Sequence, residues 1–344
     1  MYYLFSENQQ KKMTAIIILN WNGANDTIEC LESLYAVQDD FFIVLADNGS
    51  ADNSIERISQ WAENEGLKIA LFNEKDRVPT AQNHELLLMC LNSNYGFAKG
   101  NNLAIIAAIT SAPDYFLILN NDTIVEPNFL SELTGFTINN PRFKALTPKI
   151  NYYSHPEQVW NCGGRLGFLN RKYYYMNKNE SLIKEREYIP ISFVTGCALF
   201  FNHTILGADN SLFTERFFFG EEDYEFAIRM KKVGNKMACV LKSRIFHKVG
   251  STGSFMMPLG KTYLHYLNRL INLRHHNKPF FFFLIMIVYF PFILRLFRLH
   301  TGSLKKSVRL FRKLRFDVYK KNRVTSLDFN RLVIEKSALK EFMI

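Results

Sequence analysis

Two stretches of this 344-residue chain bring carboxylates to the end of an apolar run: Leu117-Ile-Leu-Asn-Asn-Asp-Thr-Ile-Val-Glu-Pro127 and Phe217-Phe-Phe-Gly-Glu-Glu-Asp-Tyr-Glu225, with His247 beyond the second. The first places Asp122 just past a buried strand, where a divalent cation can meet a diphosphate. Mg²⁺ and Mn²⁺ take oxygen ligands from one or two carboxylates plus substrate phosphates. Such an ion neutralises the charge that develops on a departing diphosphate. The second stretch supplies a carboxylate able to take a proton from an attacking hydroxyl. Blander readings exist for each group. Asp122 is also a good strand-end turn former, the acidic cluster is also a solvated helix start, and a lone histidine is more often structural than a ligand. Phe217–Phe219 beside the acidic cluster argue for its partial burial.

Alternating strands and helices must carry these residues. Thr14–Asn20, Phe41–Ala46, Leu67–Phe72, Leu86–Leu91 and Tyr115–Leu119 are short continuous apolar runs, the pattern of strands buried on both faces. Asp26–Tyr35, a segment capped by Asp52 or Asn53, and Phe97–Thr110 have helical spacing between them. Asn73–His84 is polar, contains Pro79 and reads as a surface loop. Strands alternating with helices predict a parallel α/β sheet, whose ligands bind beyond the strands' carboxyl ends. Those ends carry Asn20-Trp-Asn22, Asp47-Asn-Gly-Ser50, Asn92-Ser-Asn94 and Asn120-Asn-Asp122. Their convergence on one edge says more than any single motif.

The net charge of +10 is concentrated. From Arg295 to the end stand fourteen Lys/Arg against four Asp/Glu, so the other 294 residues are close to neutral. A basic tail on a neutral body reads as a handle for an anionic surface rather than a nucleic-acid reader. After residue 255 the character changes. Lys261–Asn277 reads as helical. Pro279–Leu294 is uncharged for sixteen residues, short of the roughly 20 needed to span a bilayer and interrupted by Pro291, which predicts a monotopic or re-entrant segment. Leu304–Tyr319 places Leu304, Val308, Phe311, Leu314 and Val318 on one stripe opposite Lys305, Lys306, Arg309, Arg312 and Lys313, the pattern of an in-plane amphipathic helix. Packing on the protein or an oligomer interface is the plainer alternative. The five cysteines are scattered, without metal-binding spacing, and fit a reducing cytoplasm. The opening residues do not read as a secretory signal.

Ile18-Leu-Asn-Trp-Asn-Gly23, Ala46-Asp-Asn-Gly-Ser50, Asn94-Tyr-Gly-Phe-Ala98 with Gly100-Asn-Asn102, Leu119-Asn-Asn-Asp-Thr123 and Phe217–Arg229 occur in the order and spacing of bacterial glycosyltransferase family 2. The chain most resembles its rhamnosyltransferase-like and galactofuranosyltransferase-like members, over about residues 14–255. The resemblance implies a GT-A fold with a mostly parallel central sheet, a nucleotide-diphosphate sugar donor, a divalent metal and inversion at the anomeric carbon. Residues 1–13 then read as an N-terminal extension, and the pattern after 255 as a helical, basic, membrane-associating segment over 256–344. By the same resemblance Asp223 is the general base, with Glu222 beside it as the main competitor. Asp122 ends the family's Asp-x-Asp metal motif, whose first position is here the neutral Asn120, flanked by Asn121. His247 resembles a metal- or diphosphate-binding histidine. Asn20, Asn22, Asp47 and Gly49 resemble the nucleoside-recognition positions, and Asn94 and Gly96 the donor-binding loop.

The expected activity is transfer of a sugar to a hydroxyl of a lipid-linked or surface-polysaccharide acceptor, such as a lipopolysaccharide intermediate, on the cytoplasmic face of the inner membrane. A nucleotidyltransferase making activated sugars is one competitor, but it expects a basic Gly-rich loop after the first strand, and Trp21–Asn25 has no lysine or arginine. A non-enzymatic membrane adaptor is another; it gives no reason for carboxylates at both motifs. The sugar, nucleobase, acceptor linkage and oligomeric state are not written in these residues.

Overall fold

The computed structural model describes residues 12–167, 170–183, 185–249, 258–298 and 302–335. Residues 1–11 of the expected N-terminal extension, and the expected boundary at 255/256, lie outside the described residues. The first half of the chain forms strands β1 (Thr14–Asn20), β2 (Phe41–Asp47), β3 (Ile69–Asn73), β4 (Leu86–Cys90) and β5 (Tyr115–Asn120). They pair in parallel in the order β5-β1-β2-β4-β3. Helices α1 (Ala24–Tyr35), α2 (Ser54–Asn64) and α3 (Phe97–Ile109) connect them. Each strand is apolar along its length because the sheet is covered on both faces. Ile17, Val44 and Ile118 enter one core, while Ile16, Ile18, Leu45 and Leu117 enter the other. Burying each such side chain contributes about 1.5–3 kcal/mol, and the alternation fixes which face every polar strand-end residue can occupy.

The second half mixes directions. It comprises β6 (Thr123–Val125), α4 (Phe129–Asn139), β7 (Phe143–Tyr152), β8 (Gln158–Asn161), β9 (Gly164–Leu166), β10 (Arg171–Tyr173), β11 (Lys178–Asn179), β12 (Tyr188–Ile191), β13 (Ala198–Phe201), α5 (Glu222–Lys232) and β14 (Lys236–His247). β13 inserts antiparallel between β5 and β7. β14 pairs in parallel with β7 and, at its end, antiparallel with β6, setting His247 opposite Thr123. β9 and β10 form a separate two-stranded ribbon.

Helices α6 (Pro258–His276), α7 (Phe281–Leu296) and α8 (Leu304–Lys320) close the chain around their own apolar cluster. Two expectations change here. The stripe of α8 does not face outward: Phe311, Leu314 and Val318 are buried against α6 and α7, and only Leu304 at the helix start is exposed. The stripe is amphipathic because it packs on protein, the plainer alternative. Nor does Pro291 interrupt its run, since α7 continues past it to Leu296. With the turn before it, Lys278–Leu296 is long and apolar enough to cross a membrane by length and composition alone. Leu284, Ile285, Val288 and Phe292 face the helical cluster, whereas Phe283, Met286, Phe290 and Leu294 face outward, Phe290 at 79% exposure.

Candidate active site

The strand ends converge as the parallel sheet requires, and hydrogen bonds lock them together. Asn20 Nδ2 donates to Asp47 Oδ2 at 2.7 Å, and Thr27 Oγ1 donates to Asn20 Oδ1 at 2.9 Å. Ser50 donates to Asp47 through both its backbone N–H (2.8 Å) and its hydroxyl (2.7 Å). Asn22, in a left-handed conformation (φ 52°), accepts from the Ala51 N–H at 2.8 Å. Asn20 and Asp47 are fully buried, so their polar atoms brace the loops that form the site's floor. Asn121 Nδ2 joins the same network through Thr27 Oγ1 at 2.9 Å.

A second network shapes the neighbouring loop. Asn94 Oδ1 accepts from Asn48 Nδ2 (3.1 Å) and from the Gly96 N–H (2.9 Å). Gly49 and Gly96 have φ of 70° and 81°. A Cβ on Gly49 would lie 2.6 Å from the Ser93 carbonyl carbon, and one on Gly96 would lie 2.0 Å from the Phe218 oxygen. Gly96 therefore allows the acidic-motif loop to rest directly on the predicted donor loop.

β5 ends at Asn120, whose N–H donates to the Cys197 carbonyl at 2.8 Å. Asp122 follows, nearly buried, with Oδ1 3.0 Å from Nε2 of His247. The imidazole is held by an edge contact with Trp160, ring centroids 4.4 Å apart. Its Nδ1 is buried and makes no hydrogen bond among the described residues. Lys248 fastens this corner: its N–H donates to the Asp122 carbonyl at 2.9 Å, and its ammonium lies 3.1 Å from Asp26 and 2.6 Å from Glu29.

The donor set fits a divalent cation. Ligands at about 2.1 Å on adjacent corners of an octahedron stand about 3.0 Å apart, the separation observed here. Imidazole nitrogen with carboxylate oxygen suits Mn²⁺ at least as well as Mg²⁺. No group of three or more potential ligands occurs among the described residues, so phosphate or water oxygens would complete the shell.

The acidic motif is more heavily supported than its sequence suggested. Glu221 is left-handed (φ 74°) and nearly buried. It pairs with Arg269 of α6, whose Nη2 donates to Oε1 at 2.9 Å, and Oε1 also lies 3.0 Å from His265 Nδ1. Burial pushes this carboxyl up, but the Arg269 charge and the hydrogen bonds from His265 and Arg269 outweigh it and hold Glu221 well below the ordinary range. Asn268 Nδ2 donates to the carbonyls of Phe219 (2.9 Å) and Gly220 (3.0 Å), and Asn272 Nδ2 to that of Glu221 (3.1 Å). Glu225, which the sequence left between motif and helix start, binds Arg229 (2.9 Å) and His276 (3.1 Å).

Asp223 and Glu222 part company here. Arg171 on β10 places Nη1 3.3 Å from Asp223 Oδ1 and 3.3 Å from Glu221 Oε1. Burial raises the Asp223 carboxyl above its usual value, with Arg171 opposing the rise. Glu222 Oε2 is buried without a hydrogen-bond partner among the described residues. Burial first, then the charge of Asp223, push Glu222 well above the carboxylate range.

The acidic-motif loop meets the start of α3, where the Phe97 N–H donates to the Phe218 carbonyl at 3.3 Å. Arg171 stacks on Phe193, 4.9 Å from its centroid, and residues 194–196 lead from there to Cys197, which is bonded to Asn120 beside Asp122. The predicted positions Asn20, Asn22, Asp47, Gly49, Asn94, Gly96, Asn120, Asn121 and Asp122 stand at or just after the carboxyl ends of β1, β2, β4 and β5, and His247 ends β14. Sequence reasoning missed Arg171, Arg269, His265, Asn268 and Asn272. Only the last four left a trace, as polar residues among the apolar positions of α6.

A central sheet of this order, parallel at first and mixed beyond β13, with acidic groups on the rim of the parallel strands, defines the GT-A fold of the glycosyltransferases. Residues 15–207, more than half the chain, match the family described as Glycosyl transferase family 2. The chain belongs to that family. No curated protein sequence matches it. Among solved structures it is similar to the S. aureus protein TarS, residues 1–349 (TM-score 0.51, 14% identity, 93% of this chain and 91% of that one). It is also similar to GalNAc-T7 with UDP, GalNAc and Mn²⁺ (TM-score 0.55, 14% identity, 78% and 48%). A third is the mannosyltransferase PcManGT from Pyrobaculum calidifontis with GDP-Man and Mn²⁺ (TM-score 0.50, 13% identity, 91% and 76%). At these identities the likeness is one of fold.

Proposed function

We propose that this glycosyltransferase moves a sugar, with inversion, from a nucleotide diphosphate to a hydroxyl of a lipid-linked or surface-polysaccharide acceptor, as rhamnosyl- and galactofuranosyltransferase-like enzymes do. The observation that carries the reading is the Asp122–His247 contact of 3.0 Å beside the carboxyl end of β5. A divalent cation held there would neutralise the departing diphosphate. Asp122 and His247 would hold it; Asn20, Asn22, Asp47 and Gly49 would shape the nucleoside pocket, and Asn94 and Gly96 the donor loop.

Asp223 is the base. Arg171 favours its ionised form, whereas Glu222 has no cation in contact among the described residues and is the carboxyl that keeps its proton. Of two coupled carboxyls, the one stabilised as an anion accepts the hydroxyl's proton. Residues 14–255 form the catalytic unit and 256–344 the surface-associating one. The outward stripe of α7 and the basic outer side of α8, with Lys305, Arg309 and Arg312 exposed, support association with the cytoplasmic face of the inner membrane.

A thermal-shift screen of nucleotide sugars with and without Mn²⁺ tests the reading, because a ligand of the native state raises apparent stability. A metal-dependent shift with one or a few nucleotide sugars is expected. No shift with any of them would remove the donor assignment.

A further inference from the structure

A groove remote from the acidic motif is lined by Arg216, Ile271, Arg274, His275, Lys278 and Asn322, and encloses about 320 Å³. It adjoins a second depression through Arg216 and Asn322, which adds Arg323 and one carboxylate, Glu215. Cations at a helix C-terminus often serve only to satisfy carbonyls, and part of this cluster does so. Arg274 donates to the carbonyls of Tyr319 (3.0 Å) and Lys321 (2.7 Å) at the end of α8, and Lys232 donates to that of His276 (3.0 Å).

Three cations are not used up in this way. Among the described residues, Arg216, Lys278 and Arg323 have no carboxylate within ion-pair distance. Arg216 Nη2 meets only His275 Nε2, at 2.9 Å, and its Nη1 is buried with no hydrogen-bond partner. The charge of Glu225 reaches Arg216, but that carboxylate is already paired with Arg229 and His276, so the buried guanidinium edge is left for a further anion to satisfy. The groove also has a particular neighbour. Lys278 begins the turn into α7, where Phe280, Phe282 and Phe283 are 66%, 69% and 64% exposed.

We propose that this groove binds the phosphate of an anionic membrane phospholipid, whose acyl chains lie along the exposed aromatic start of α7. The inference rests on the peripheral-membrane reading above and adds a defined headgroup site to it. Arg216 forms the preorganised base of the site, Lys278 and Arg323 close over the phosphate, and α7 receives the hydrocarbon. A site with positive charge beside an apolar face matches a phospholipid, which carries both parts in one molecule. A soluble phosphate ester would use only the groove, and a second copy of the chain would use only α7.

The test uses the full chain in flotation with phosphatidylcholine vesicles, with and without phosphatidic acid, and with inorganic phosphate as competitor. Phosphatidic acid should tighten binding roughly tenfold or more. The variant Lys278→Glu/Arg323→Glu, altered at two exposed positions outside the catalytic rim, should lose that gain while keeping weak binding to neutral vesicles. Phe283→Ser/Phe290→Ser should lose binding to both. An anionic gain that survives Lys278→Glu/Arg323→Glu overturns the groove and assigns the effect to the outer side of α8. Binding that ignores phosphatidic acid overturns the headgroup site but leaves membrane association intact. Absence of all vesicle binding overturns both, whether phosphate still raises the melting temperature or the chain instead dimerises through α7.

Discussion

The guanidinium of Arg171 stands 3.3 Å from the carboxylate of Asp223. The two residues lie 52 positions apart, on a two-stranded ribbon and on the first turn of a helix, and their meeting ties the charge of Asp223 to a ribbon outside the main sheet. Burial raises Asp223 and Arg171 counters it.

Replacing the base tests this contact first. Asp223→Asn should cut turnover by about 10²-fold or more while donor binding, followed by thermal shift, persists. Glu222→Gln should retain most activity, because burial and the neighbouring charge of Asp223 disfavour its anion. Near-wild-type turnover in Asp223→Asn would reassign the base.

Arg171→Gln should move the acid limb of the kcat/KM profile to higher pH. The sign follows from Asp223 already standing above its usual value; without the cation its anion is less favoured still, so activity is lost earlier as pH falls. A profile unchanged in Arg171→Gln would separate the ion pair from catalysis.

Asp122→Ala and His247→Ala should each weaken Mn²⁺-dependent donor binding. Loss of even an indirect support for a metal ligand costs about 10–100-fold in metal affinity, so removing a direct ligand should cost at least that. Titration of Mn²⁺ at fixed nucleotide sugar measures it, and a shared affinity for wild type and both variants would exclude the pair as ligands.

Stability should depend on α6. Arg269→Leu removes the main partner of the buried Glu221 carboxylate, leaving only His265 and Arg171, at a cost of up to about 3 kcal/mol, and adding Glu221→Gln should restore much of it. In the wild type Glu221 titrates below its ordinary value, so its contribution is present above the unfolded-state value of about 4.3 and fades as pH falls further. Denaturant midpoints between pH 3 and 7 should show this acid loss in the wild type and not in the double variant.

Gly96→Ala strains the contact between the predicted donor loop and the acidic-motif loop. The Gly96 backbone (φ 81°, ψ 176°) lies in a region essentially reserved for glycine, where a residue with a Cβ costs about 1–3 kcal/mol, and the close approach of Phe218 adds to it. A destabilised protein with weakened donor binding is expected; a neutral result in both assays would mean that the loops separate in solution.

Much of the parallel half was legible because both its faces are buried. The apolar run Ile16–Ile18 could only be a covered strand, and Asn20, Asp47 and Asn120 had to emerge on one edge. Asp122 and His247 were singled out by the family resemblance, and the sheet brings them together by pairing β14 with β6. The antiparallel insertion of β13 was not legible: Ala198–Phe201 has the same apolar character whichever direction it runs, and its partners lie about eighty residues back. Arg171 left no local signal either, since an arginine in a short ribbon looks like any exposed residue. The stripe of α8 was read correctly as a pattern and wrongly in its destination, because an amphipathic face does not say whether lipid or protein will cover it.

Glu221 sits in a left-handed conformation that residues with a Cβ seldom adopt, and Arg269, His265 and Asn272 hold it there from α6. The C-terminal helices are therefore not a detachable appendage. Cutting the chain before α6 should free the backbone at Glu221 and displace Asp223, so transplanting the first part of the chain onto other sequences should fail unless α6 travels with it.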